Sequence, residues 1–182
     1  MCWFWRPGMV LVGLVSAQAA WASEVVEEEL ALEELVEYSS LIAVVSPVEP
    51  PTSPQELPVE VDGVSHEPYR FVVERYTVER VLHDPAGQTG SGDVLEVAPG
   101  DLEELYGEHV EHVVHDALES PVVWVYRGPE AVSGKQIVFL RQGSFQERPV
   151  TAFTALGARE STGALRRVRR ILRSLAKRDR RP

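Results

Sequence analysis

Cysteine is almost missing from this 182-residue chain: Cys2 is the only one. No intramolecular disulfide framework and no cysteine-rich zinc module can be built from it. Asparagine is absent altogether, which excludes N-glycosylation. Lysine is scarce, with two residues against sixteen arginines. Past the first two dozen residues no apolar run is long enough to span a bilayer, which takes about 20 residues. What remains is an ordinary globular composition, 44% hydrophobic and 25% charged, enough for one domain with an adequate core.

Residues 1–22 read as a signal peptide. Arg6 supplies the positive charge, Met9 to Val15 a short apolar run, and Ala20-Trp21-Ala22 the small residues of a cleavage site. The expected cut falls between Ala22 and Ser23. Cys2 precedes the apolar run, so it is misplaced for a lipid-modified cysteine. The mature chain, Ser23 to Pro182, is then exported to the periplasm or the exterior without a single Cys, and its stability rests on packing alone.

The formal net charge is −10, but the charges are segregated. Residues 159–182 hold ten basic side chains against Glu160 and Asp179, while residues 23–158 hold twenty-six acidic and seven basic ones. A body this acidic is a poor nucleic-acid binder. The basic end suits either an anionic surface such as a membrane or the acidic body of its own chain.

Along the chain, Glu24 to Ser40 is expected to be an acidic helix with Val26, Leu30, Leu32, Leu35 and Val36 as its apolar face. Leu41 to Val45 is a buried strand. Ser46 to Gly63, with Pro47, Pro50, Pro51, Pro54 and Pro58, reads as a loop or extended edge segment. Tyr69 to Leu82 alternates strongly enough for a long, bent strand. Asp84 to Gly92 is turn chemistry, and Asp93 to Val97 a third strand. Asp101 to Leu118 is expected to be a helix, with Asp101 as N-cap and Glu104 completing a capping box. Strands follow at Pro121–Tyr126, Lys135–Arg141 and Val150–Leu156. Ser161 to Lys177 is a helix with an apolar stripe of Ala164, Leu165, Val168, Leu172 and Leu175 and arginines on its polar sides.

Three strands, a helix, then two or three strands is the order of a small five- to six-stranded OB-like barrel within a mainly β, β-rich α+β fold. The domain boundaries follow: signal peptide 1–22, acidic helix 23–40, barrel 41–158, basic helix and tail 159–182. The segments LIAVVSPV (41–48), YRFVVERYTVERVLHD (69–84), GDVLEVAPG (92–100) and GKQIVFLR (134–141) resemble, in order, bacterial exported OB-like domains of the tissue-inhibitor-of-metalloproteinases, or netrin-like, type. The resemblance implies a non-enzymatic binding or inhibitor-like module acting on another exported protein. Inhibitors of that type place an N-terminal cysteine on the protease zinc. A mature chain starting at Ser23 has none, so zinc-directed inhibition does not carry over.

The sharpest chemical pattern is His109-x-x-His112-x-x-His115, three of the five histidines in seven residues. On a helix they fall at about 0°, 300° and 240°, an arc that lets two imidazoles share a metal ion such as Zn, Ni or Cu. Glu108, Glu111 and Asp116 are possible carboxylate partners. The run is not H-E-x-x-H, so the zinc-protease helix is not matched. The competing reading is a solvated polar helix face. His83-Asp84 and His115-Asp116 define no triad by adjacency alone. Gly87, Gly90 and Gly92 lack the lysine and following helix of a phosphate loop and read as a hairpin turn. Tyr69, Phe71, Tyr76, Trp124, Tyr126 and Phe139 are candidates for an aromatic binding face or for core.

Overall fold

A computed structural model of the chain describes residues 26–115, 122–127 and 134–178. The expected signal segment, its cleavage site and the last four residues lie outside them. The elements are β1 (Val26–Glu29), α1 (Leu32–Tyr38), β2 (Leu41–Val61), β3 (Val64–His83), β4 (Val94–Val97), α2 (Leu102–His115), β5 (Val122–Val125), β6 (Gln136–Phe145), β7 (Arg148–Phe153), β8 (Arg159–Ser161) and α3 (Leu165–Arg178), the last entered through a 3-10 turn. The protein is thus strand-rich, with an open antiparallel sheet in the order β4-β3-β2-β6-β7, β8 pairing with β6, and three helices among the described residues. A separate pair is formed by β1 and β5, which run parallel.

The acidic segment corrects the sequence expectation. Its first part is not helix: Val26 to Glu29 pair in register with Val122 to Val125, and the Leu30 N–H donates to the Val125 carbonyl at 2.8 Å. Helix begins only at Leu32, where the Glu34 carboxylate accepts from the Ala31 N–H at 2.9 Å. Glutamates favour a helix start locally. A β5 strand almost a hundred residues away overrides that preference by offering backbone partners no local pattern can register.

Of the two readings of the proline-rich segment, the structure shows the extended edge segment. Residues 46–61 are the outer half of β2, paired with β3 in a long hairpin. Strand β6 covers the other edge of β2 only along Leu41–Val45. Past Val45, no described strand uses that edge, so missing proline N–H groups break no ladder there. The register slips between Pro47 and Thr52 and again between Leu57 and Val59, absorbing the irregular residues as bulges. The hairpin closes at Asp62-Gly63, both with positive φ (51° and 77°), a two-residue turn whose hand matches strand twist. The tetrad Val61-Asp62-Gly63-Val64 is the sequence signal for that hairpin. His66 lies in β3 opposite Val59 and is half-buried.

Packing explains which strands are central. Leu41 to Val45 and Ile137 to Leu140 are buried at every position, so both faces of β2 and β6 are covered there. Leu35 and Val36 of α1 and Val168 of α3 belong to the same core, with Leu165, Ile171, Leu172 and Leu175 packed along its edge. Arg167 reaches Glu33 at 3.2 Å and Arg178 reaches Glu37 at 3.0 Å, so α3 lies along α1 as the segregated charges anticipate. A smaller core of Leu57, Val73, Ala98 and Leu102 sits beneath α2, walled by Tyr69, Phe71, Tyr106 and Phe145. The sheet is strongly curled: just beyond β4, Ala98 bridges in parallel to Ala152 of β7, its N–H donating to the Thr151 carbonyl at 2.8 Å and its carbonyl accepting from the Phe153 N–H at 3.1 Å.

Candidate functional site: a cleft beside α2

Helix α2 starts where the chain leaves β4 through Pro99-Gly100. The turn admits only glycine at 100, since a Cβ there would meet the Phe153 carbonyl oxygen and the Ala155 backbone at 2.8 Å. The Leu105 N–H donates to the Asp101 carbonyl at 3.0 Å and opens the helix. Asp101 is 4% exposed and its Oδ1 has no hydrogen-bond partner. Burial raises its carboxyl above the usual range, with the Glu104 charge adding to the effect.

Between this first turn and the β6–β7 hairpin lies an open cleft of about 260 Å³. Leu102, Phe145, Val150 and Ala152 give it an apolar floor, and Arg141, Gln142 and Ser144 with Glu103 and Glu104 give it a polar rim. The guanidinium of Arg141 is held in place by donating to the Gly100 carbonyl at 3.0 Å. The Gln142 N–H donates to Ser40 Oγ at 2.7 Å, so the hairpin is tied to the loop that precedes β2. A second depression, about 400 Å³, shares Gln142, Gly143 and Val150 with the first and is bounded by Ser40, Pro85, Ala86 and Gln88. A Cβ at Gly143 would meet nothing within 4 Å, so this stretch of hairpin stands clear of the body. An apolar floor with a few placed polar groups is the make-up of a recognition site. None of these residues stands out in the sequence, where β6 shows only strand alternation and the cleft is assembled from segments some forty residues apart.

The histidine run lies on α2 as expected. Among the described residues no group of three His, Cys, Asp or Glu side chains converges to hold a metal ion. His109 Nε2 donates to the Glu67 carbonyl at 2.8 Å, and its ring packs on Tyr69 with centroids 5.5 Å apart. That nitrogen carries its proton toward the β2–β3 hairpin. His112 and His115 are exposed in the last turn, and Asp116 lies outside the described residues. His109 and Tyr106, whose hydroxyl donates to the Pro58 carbonyl at 3.0 Å, are how α2 grips the hairpin.

The other sequence candidates resolve plainly. The 84–92 glycines wrap a carboxylate of their own chain: Asp84 accepts from the Gly87 N–H at 2.9 Å and the Thr89 N–H at 2.8 Å. The Thr89 amide above all holds the Asp84 carboxyl below its usual range. The amides a phosphate would need are occupied. Tyr76 and Phe139 are core. Tyr69 and Phe71 wall the smaller core, Tyr126 packs against Phe139, and the Trp124 side chain lies outside the described residues. Comparisons of the chain with protein-family models, curated proteins and solved structures gave no match.

Proposed function

We propose that this chain is an exported, non-enzymatic binding or inhibitor-like module on an OB-like barrel, cleaved after Ala22, that engages another exported protein through the cleft beside α2. The observation that carries the reading is the cleft itself, an apolar floor rimmed by a positioned guanidinium, an amide and a hydroxyl. The OB-like part is supported by connectivity. Strand β2 pairs with β3 and β6, β3 with β4, β6 with β7, the Ala98–Ala152 bridge brings the two outer strands together, and α2 lies between the third and fourth sheet strands. Loops and hairpin tips at one end of such a scaffold are free to carry recognition while the curled sheet holds them rigid.

The test is affinity capture from the native organism's exported proteins with Ser23–Pro182 as bait, beside Gly143→Trp and Ser144→Trp forms. These substitutions enter open or rim positions and should leave the melting temperature unchanged. A partner held by the wild type and lost by both variants, with or without chelator, supports the reading. A partner held equally by all three forms, or none at all, defeats it. Capture abolished by chelator alone moves the function to the histidine face.

A further inference from the structure

The charge on α3 divides into two sets. Arg167 and Arg178 are spent on Glu33 and Glu37 of α1. Arg166, Arg169, Arg170, Arg173 and Lys177 are exposed, and among the described residues none of the five has a carboxylate partner. At 100° per residue they fall within an arc of about 100°, centred opposite the stripe that buries Val168. They form one straight row roughly 16 Å long on the outermost side of the helix.

We infer that this row is a docking surface for an anionic phospholipid membrane, bound by charge alone and independent of the cleft proposed above. A cationic helix that lies in a bilayer interface uses its apolar face to insert. Here that face is buried in the protein's own core, so the helix rests on headgroups without penetrating. A convex row of cations presents all five charges to a flat plane at once. A single nucleic-acid strand is held instead by a groove lined with aromatic side chains, and α3 is neither concave nor aromatic. The nearest carboxylates of the acidic body, Glu33 and Glu37, are neutralised by Arg167 and Arg178. Exposed charges farther than the Debye length of roughly 8 Å at physiological salt are largely screened. Four of the five cations are arginines, whose planar donor fork matches phosphate oxygens.

The experiment is sedimentation of Ser23–Pro182, which contains every described element, with phosphatidylglycerol or phosphatidylcholine vesicles. Expected is binding to the first and not the second, reversed by high salt. Replacing Arg166, Arg170 and Arg173 by Gln should weaken it about 100-fold, while Lys at the same positions should largely restore it. The melting temperature should hold in both forms, since the three exposed side chains have no ion-pair partner among the described residues. Absence of binding to anionic vesicles overturns the inference, as does equal binding to neutral ones or undiminished binding by the Gln form. Retention of soluble polyphosphate without vesicle binding assigns the row to a free polyanion and equally overturns it.

Discussion

The guanidinium of Arg159 donates to the carboxylate of Glu74, joining β8 to β3 although β2 and β6 lie between them in the sheet. Such a contact requires the sheet to curl until its two sides face each other. Tyr76 donates to the other oxygen of the same carboxylate, and the guanidinium stacks on Phe153 at 4.5 Å from the ring centre. Arg159 Nε is buried without a partner, so the pair stands at the border between surface and interior ion pairs. Arg159→Met should cost about 2 kcal/mol, between the values typical of exposed and buried pairs. Adding Glu74→Gln to it should restore part of the loss, because the stranded carboxylate is then gone. Denaturant melts of both singles and the double form a cycle, and strictly additive effects would contradict the pairing.

Gly100 and Gly143 make opposite forecasts. Gly100→Ala drives a methyl into backbone of the β7 segment at 2.8 Å, which cannot yield as a side chain can. It should destabilise by roughly 2–3 kcal/mol, as overpacking does. Gly143→Ala meets open space and should be near neutral. Equal melting temperatures for the two variants would show that the β4–β7 approach is looser than described.

Asp101 predicts a pH dependence. A carboxyl raised by burial is bound more readily by protons in the folded state than in the unfolded one. Its contribution is therefore fully present below the unfolded pKa and lost as pH rises through the higher folded value. Asp101→Asn removes that loss and should raise stability at pH 7 by about 1 kcal/mol, or about 3 °C. The advantage should vanish on acidification, where the wild-type carboxyl is already protonated. Thermal melts of both forms across the acid range read this directly, and a gain that persists at low pH would point to another cause.

Helix α3 is held by its apolar stripe more than by its charges. The Arg167–Glu33 and Arg178–Glu37 pairs are more than half exposed on both sides. Arg167→Gln with Arg178→Gln should cost under about 1 kcal/mol together. Val168→Ala, at a fully buried position, should cost about 2 kcal/mol. Truncation after Ser161 should lower the melting temperature far more than either. A truncated chain as stable as the intact one would mean that the helix is not part of the core.

The sequence by itself determined the elements whose evidence is periodic. The alternation of Tyr69 to Leu82, the apolar runs at Leu41–Val45 and Ile137–Leu140, and the spaced Leu and Val of α3 each name their own structure, because burial on one face or both leaves a local period. Only tertiary structure decided what the acidic segment before Leu32 and the proline segment after Val45 become. Val26 to Glu29 is strand because β5 lies alongside, and the prolines after Val45 are tolerated because β6 pairs no farther than Val45 and no described strand covers that edge beyond it. The cleft was illegible for the same reason. Arg141 is positioned by the Gly100 carbonyl, and His109 by the Glu67 carbonyl. Local propensity is written residue by residue, whereas a backbone partner forty or a hundred positions away leaves no mark on the segment it pairs with.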